Sequence, residues 1–223
     1  MVALLLFAAL FYGAGGTAEG FAETAKSETV SVVDGDTLQI GDKVVNLHGI
    51  DAPELGQLCF HDSRWNRCGV AAAFELKKLI SYDKPLRCEP APGNKRKFIC
   101  HAASVDVALV LLKAGYAVAE PVGGTAYREA EKSAREGNLG LWHMSFIAPA
   151  DWRRGQRLPD AEKAEEGKCP IKAVFGDSGK KLYYVPTDEI YKKIDVDPEK
   201  GERLFCSDEE ARRAGWRRQG ETQ

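Results

Sequence analysis

The chain has 223 residues, of which 44% are hydrophobic and 29% are charged. This balance is typical of a folded protein and excludes an intrinsically disordered one, and the length suits one ordinary domain with a smaller appendage. The formal net charge of −2 excludes a protein that attracts nucleic acid through its overall charge. Any nucleic-acid contact must therefore come from a local patch.

Residues 1–22 predict a secretory signal peptide. They contain the apolar run VALLLFAALFYGA, which is short for a membrane span and is followed by small and polar residues. Cleavage after Ala18 or Ala22 would satisfy the small-x-small rule. Because no Lys or Arg precedes the run, an uncleaved anchor is the alternative. We expect a periplasmic or secreted monomer without a stable membrane-inserted segment after cleavage.

The six cysteines also favour export. None lies in a C-x-x-C pair, which removes the usual zinc and redox spacings. An even number of cysteines behind a signal peptide favours disulfides over buried free thiols. Among the many pairings that six cysteines allow, short sequence separations favour three. These are Cys59–Cys68, Cys88–Cys100 and Cys169–Cys206.

Strand signals begin near residue 28 and predict a three-stranded meander. The segments TVSVV, TLQI and KVVNLHGI are separated by Asp-Gly and Gly-Asp, which are hairpin turn signals. Further along the chain, PLRCEP and KFICHA predict another strand pair, bridged by the loop APGNKR. The first meander and these later strands form part of a predicted α+β, barrel-type domain over residues 28–147.

Three helices complete the predicted domain. Apolar residues at helical spacing predict the first over residues 68–81. The second is predicted over 106–120 and closed by Gly115, and the third over 127–142 and closed near Gly137.

The remaining residues predict a linker and a small module. Residues 148–168 carry proline and many charges without apolar periodicity, which predicts a linker. Residues 169–219 predict a β-rich module that ends in a helix, with Ser207 as its N-cap and Glu210 completing a capping box. So small a module would gain stability from a Cys169–Cys206 disulfide.

Four acidic residues frame the meander: Asp34, Asp36, Asp51 and Glu54. Asp36 begins the second predicted strand and Asp51 ends the third, so both would lie at one rim of the barrel. Paired carboxylates with carbonyls and waters suit a hard cation, Ca²⁺ before Mg²⁺. Glu54 would then accept a proton from water. The alternative is that DGD is only a hairpin turn and DAPE only a helix-entry loop.

Five segments, in this order, resemble the staphylococcal-nuclease (thermonuclease-like) family: VVDGDTLQI, LHGIDAPE, CFHDSRWNRCG, LVLLKAGYAVAE and YREAEKSAREGNLGLW. The resemblance covers residues 28–145. It implies a five-stranded OB-fold β-barrel with three helices and Ca²⁺-dependent hydrolysis of DNA or RNA phosphodiesters. It also implies that Asp36, Asp51 and the backbone carbonyl of Ala52 bind calcium, with Glu54 as the general base.

The chain departs from the family at two arginines that contact the scissile phosphate. Asn46 stands where the family has the first. The segment PGNKRK offers Arg96 or Lys95 for the second, depending on the length of the hairpin, and Arg96 is the candidate catalytic residue. The resemblance therefore implies a nuclease whose activity is reduced.

The C-terminal segment resembles a small module found behind such nuclease domains in exported bacterial proteins, in its CPIK start and FCSDEEARRAGWR end. The whole arrangement is similar to nuclease-like proteins linked to succinoglycan (exopolysaccharide) biosynthesis in rhizobia. It implies an alternative function, a non-catalytic accessory protein of that process. Two cysteines are too few for a four-ligand zinc site, so a disulfide is favoured, and nothing identifies a partner of the module.

Other polar residues have simpler interpretations. His61, His101 and His143 lack a ligand pattern around them, which favours packing over metal binding. The segments DWRRGQR and RRAGWRR place Arg beside Trp, a combination that can stack on bases or contact phosphates. Solvated linker and helix-end charge is the simpler explanation.

Overall fold

The structure, a computed structural model, describes residues 29–80, 85–161 and 169–221. The predicted signal peptide over residues 1–22 lies outside these ranges. Within the described ranges, no helix is both long enough and apolar enough to cross a membrane.

The predicted meander is present and forms three antiparallel strands. They are β1 (Val30–Val32), β2 (Thr37–Ile40) and β3 (Lys43–Leu47). The side chains of Leu38 and Leu47 are fully buried, as expected for apolar residues on the inner face of a pleated sheet. The prediction that the third strand runs on to Asp51 is wrong, because Gly49 adopts a φ of 75° and turns the chain.

The other strands of the first domain are short, apart from one long hairpin. They are β4 (Ile50–Asp51), β5 (Cys59–His61), β6 (Arg64–Asn66), β7 (Leu86–Ala91), β8 (Asn94–Ala102), β9 (Val105–Asp106) and β10 (Val118–Ala119). The main sheet is a curled half-barrel with the order β1-β2-β3-β8-β7, in which β9 pairs with β8 and β3 runs parallel to β8. The α+β prediction is confirmed, and the closed five-stranded barrel stays a prediction.

Two predicted segments change character in the structure. Much of the predicted loop APGNKR is strand, because β8 begins at Asn94 and only Pro92 and Gly93 separate it from β7. The predicted helix over 106–120 is also too long. It ends at Lys113, before Gly115 takes a φ of 75°, and residues 118–119 form β10, which pairs with β4.

The helices of the described residues are α1 (Cys68–Leu79), α2 (Val107–Lys113), α3 (Gly124–Glu136), α4 (Pro149–Arg153) and α5 (Asp208–Arg213). Short 3₁₀ turns cover Pro121–Gly123, Gly140–His143, Tyr191–Lys193 and Pro198–Lys200. The first three α-helices confirm that the predicted segments are helical, and α3 closes at Gly137 as expected. The predicted extension of the third helix to residue 142 is wrong, because Gly140–His143 form a separate 3₁₀ turn. The segment predicted as a linker begins with α4, in which Trp152 is only 6% exposed.

All three predicted disulfides are confirmed, and they pair all six cysteines. Cys88 and Cys100 are directly opposite each other in the β7–β8 register. Cys59–Cys68 joins β5 to the start of α1, and Cys169–Cys206 closes the C-terminal segment. Three disulfides are consistent with a protein that is exported to an oxidising compartment.

The C-terminal module is a second sheet with one helix. Its strands are β11 (Ile171–Phe175), β12 (Lys181–Tyr184), β13 (Arg203–Phe205) and β14 (Arg217–Arg218), in the order β13-β11-β12-β14. Ser207 caps α5, since its hydroxyl accepts a hydrogen bond from the Glu210 N–H at 3.2 Å. The Glu210 carboxylate accepts from the N–H of Cys206 at 3.1 Å, one residue before the position that a capping box requires.

The module packs against the first domain. Its buried residues Tyr183 and Trp216 belong to the same hydrophobic cluster as Leu38 and Leu76. The N–H of Gly56 donates to the Cys206 carbonyl at 2.7 Å, and the hydroxyl of Thr187 donates to the Val32 carbonyl at 2.7 Å. The module therefore supports the loop that follows β4.

Candidate active site

The acidic residues predicted from sequence come together at one end of the meander. Asp34 and Asp36 lie immediately before β2, whereas Asp51 ends β4 and Glu54 lies in the loop that follows. Asp36 joins the two segments, because its Oδ2 accepts a hydrogen bond from the N–H of Ala52 at 2.9 Å. The charges of Asp51 and Asp36 both act on Glu54, so these carboxylates form one electrostatic group. We call Asp34, Asp36, Asp51 and Glu54 the acidic cluster.

Two glycines allow the backbone segments of the acidic cluster to approach each other. A Cβ on Gly35 would lie 2.7 Å from the Cβ atoms of both Ala52 and Ala72. A Cβ on Gly69 in α1 would lie 1.7 Å from the carbonyl oxygen of Glu54. Neither glycine has a positive φ. The interpretation of DGD as a hairpin turn alone therefore does not account for Gly35, which is needed for close packing.

Burial and neighbouring carboxylates raise the pKa values of three members of the acidic cluster. Burial is the largest cause for Asp34 and Asp36; the charges of Asp36 and Glu54 raise the pKa of Asp34 further, and the charge of Asp51 raises that of Asp36. Burial likewise raises the pKa of Glu54 to about 7, although a hydrogen bond from Arg153 acts in the opposite direction. A site of this kind favours the approach of a cation.

Arg153 is the residue that the sequence analysis missed as a member of the site. Its guanidinium donates to both carboxylate oxygens of Asp51, at 2.8 and 2.9 Å, and to Oε1 of Glu54 at 2.9 Å. It extends from α4, in which Pro149 and Trp152 are buried. The signal in the sequence was DWRRGQR, where a Trp next to Arg could have indicated an anchored helix instead of a solvated linker.

Asn46, where the resemblance expects an arginine, lies at the acidic cluster. The hydroxyl of Thr37 lies 2.9 Å from Oδ1 of Asp36 and 3.1 Å from Oδ1 of Asn46. Asn46 is also in register with Lys97 on β8. Burial raises the pKa of Asp36, whereas the hydrogen bond from the Ala52 N–H and, after it, the charge of Lys97 act in the opposite direction. Arg96 is exposed and precedes Lys97 on the strand, so its side chain leaves from the opposite face.

The histidines lie away from the acidic cluster. His48 lies just beyond the end of β3 and lines an open cleft of about 700 Å³ with Asp106 and Tyr127. His61 and His143 were predicted to be isolated, but their rings meet edge to face with centroids 4.6 Å apart. They pack against each other as aromatic pairs do.

The acidic cluster offers oxygen ligands that suit a hard cation, but Arg153 competes with a cation for Asp51. Among the described residues, no three His, Cys, Asp or Glu side chains form a ready-made metal centre. The carboxylates of Asp36 and Asp51 and the carbonyl of Ala52 are nevertheless the ligand types that Ca²⁺ prefers. Both oxygens of Asp51 contact Arg153, so a cation would have to share or displace that contact.

The raised pKa of Glu54 predicts a pH-dependent stability of the metal-free protein. Its pKa is about 7 in the folded state against an ordinary 4.5, so the folded state binds the proton more tightly than the unfolded chain. The contribution of Glu54 to stability is therefore fully present below pH 4.5 and is lost as the pH rises through 7. Relative to Glu54→Gln, the wild type should lose on the order of 3 kcal/mol across this range.

This prediction is measured by urea unfolding in EGTA at a series of pH values. Only the difference in pH dependence between the two proteins is diagnostic, because the substitution also alters the contact with Arg153. Parallel stability curves for wild type and Glu54→Gln would contradict it.

Comparison with known proteins finds a relative named for polysaccharide biosynthesis. No family model matches the chain. Over 118 residues the chain is 34% identical to the succinoglycan biosynthesis protein ExoI of Rhizobium meliloti (strain 1021). The alignment covers 50% of this chain and 62% of that protein, so the chain spans less than two thirds of the relative's length. The chain is thus similar to a protein whose name places it in succinoglycan biosynthesis.

Proposed function

We propose that this chain is an exported, Ca²⁺-dependent hydrolase of phosphodiester bonds in DNA or RNA, built on an OB-fold barrel of the staphylococcal-nuclease type. The observation that carries the proposal is the convergence of Asp36, Asp51 and Glu54, which come from two separate sequence motifs. The hydrogen bond from Ala52 to Asp36 joins those motifs at the place where the resemblance expects a catalytic site.

Each acidic residue has a role that its position supports. Asp36, Asp51 and the carbonyl of Ala52 would hold calcium, which when bound neutralises negative charge on phosphoryl oxygens. Glu54 lies beside them on the loop that Gly69 and the C-terminal module support. Its side chain is 12% exposed, so a water molecule can reach it.

The chemical step is the addition of water across the diester bond. The Glu54 carboxylate accepts a proton from water as the water oxygen forms a bond to phosphorus. The bond between phosphorus and the leaving oxygen breaks, and that oxygen takes up a proton from solvent. Glu54 then releases its proton to solvent, so the net reaction consumes one water and yields a phosphomonoester and an alcohol.

The direct test is cleavage of plasmid DNA and of RNA by mature, oxidised protein in millimolar Ca²⁺ and in EGTA. We expect cleavage with calcium and none with the chelator. Asp36→Asn should lose the calcium-dependent cleavage, because it removes one anionic ligand. Absence of cleavage of both nucleic acids in calcium would contradict the proposal.

A second candidate is a non-catalytic accessory protein of exopolysaccharide biosynthesis. The observation that favours it is the pairing of Asp51 and Glu54 with Arg153, which gives these acids a structural role. The similarity to a protein named for succinoglycan biosynthesis also supports this candidate. If it is correct, the wild type should not cleave nucleic acid, and cleavage should appear only in Asn46→Arg. Robust cleavage by the wild type would count against it.

A further inference from the structure

An anionic substrate needs a positive group at the acidic cluster. The four carboxyl groups of the acidic cluster would repel the negative charge of a phosphodiester. Asn46 carries no charge, so it cannot reduce this repulsion as an arginine at its position would. Lys97 lies near Asp36, but its ammonium group is 3.7 Å from a carboxylate oxygen of Glu120. The guanidinium that contacts the acidic cluster directly is that of Arg153.

Arg153 has donors left for a second anion. A guanidinium carries five N–H groups, and within the described residues three of them donate to Asp51 and Glu54. The Nε–H and one Nη2–H therefore remain. The Arg153 side chain is 38% exposed, so a ligand can approach the guanidinium from solvent.

The helix that carries Arg153 holds it in a fixed place. Pro149 and Trp152 of α4 are buried, and the guanidinium of Arg157 stacks 4.0 Å from the Trp152 ring centroid. The two contacts with Asp51 also fix the plane of the guanidinium, since a carboxylate matches its fork. Arg153 is thus oriented before any substrate arrives.

We propose that Arg153 contacts the scissile phosphate and supplies the positive charge that Asn46, in place of an arginine on β3, does not. The inference rests on the proposed function and extends the substrate site to α4, outside the region that resembles the nuclease family. Its remaining donors hold the phosphoryl oxygens while its contacts with Asp51 and Glu54 keep the phosphate beside the general base.

The test compares Arg153→Ala with Arg154→Ala, the neighbouring arginine, which is exposed and pairs with Asp151. In calcium, Arg153→Ala should lower kcat/KM by about 10²–10³-fold, as the loss of a donor to a developing charge does. Arg153→Lys should fall in between, because it keeps the charge but loses the fork. Arg154→Ala should cleave at the wild-type rate.

A second measurement reads binding without turnover. In the Glu54→Gln background, the affinity for a short single-stranded DNA should fall with Arg153→Ala and not with Arg154→Ala. Thermal unfolding of each variant establishes that it is folded, and Arg153→Gln serves if the alanine variant is not.

The outcomes separate this inference from the proposed function. If the wild type cleaves and Arg153→Ala cleaves as fast or faster, Arg153 only blocks the acidic cluster, and the inference fails while the function stands. If the wild type does not cleave, the proposed function fails, and the DNA-binding measurement then tests the inference about Arg153. Selective loss of DNA binding in Arg153→Ala then supports the phosphate contact, and equal binding by both alanine variants overturns it.

Discussion

Glu54→Gln should lose calcium-dependent hydrolysis while the protein stays folded, with a fall in rate of about 10²–10⁴-fold. The amide has the size of the carboxylate and its oxygen can still accept the hydrogen bond that Arg153 now gives at 2.9 Å. It cannot take a proton from water, so the general base is lost. The measurement is the initial rate of cleavage of a fluorescent single-stranded DNA in calcium.

The matched control for this substitution is Glu129→Gln, the same chemical change at an exposed position on α3. It should cleave at the wild-type rate. A Glu54→Gln protein that retains the wild-type rate would remove Glu54 from the mechanism.

Asp188→Asn should have the largest effect on stability, a loss of about 3–5 kcal/mol. The Arg218 side chain is 1% exposed and pairs with Asp188 through both carboxylate oxygens. The Asp188 carboxylate also accepts from the N–H of Val185 at 2.8 Å. Neutralising it leaves a buried guanidinium without its counter-charge, and urea unfolding of the oxidised protein measures the cost.

Two further variants show whether the buried charge is the cause. Asp195→Asn makes the same change at an exposed position of the module and should leave the free energy of unfolding unchanged. Asp188→Asn combined with Arg218→Met removes the unpaired charge and should recover part of the loss. Equal stabilities of wild type and Asp188→Asn would show that the pair contributes nothing.

Local sequence signals were enough to predict much of the fold. Turn residues and alternating apolar runs give β1 to β3, and helical spacing gives α1. Short sequence separations give all three disulfides. The errors arise where pairing depends on distant residues. Residues 118–119 continue a helical pattern, but they form β10 because β4 offers a partner some 70 residues earlier in the chain.

The residues of the candidate site also fall into those that local sequence motifs predict and those that depend on distant contacts. Asp36, Asp51 and Glu54 lie in short motifs, so sequence alone could place them together. Arg153 and Lys97 could not be found by that route, because Arg153 reaches the acidic cluster across 102 residues and Lys97 reaches it through the parallel β3–β8 pairing. The charge-rich composition of 148–168 favoured a linker over α4, although the buried Trp152 beside Arg153 was a sequence signal for an anchored helix.

Two elements that contact the acidic cluster or its loop lie outside the region that resembles the nuclease family. The module that follows residue 169 packs on the loop after β4, and α4 supplies its guanidinium. Truncation at the end of the region that resembles the nuclease family would therefore remove both supports. Experiments on this protein need the full mature chain with its disulfides intact.

The most direct test of the central claim is the rate of single-stranded DNA and RNA cleavage by wild type and Glu54→Gln, side by side, in calcium and in EGTA. The account predicts cleavage only by the wild type and only in calcium. Cleavage of equal rate by both proteins, or no cleavage by the wild type with calcium present, would contradict it.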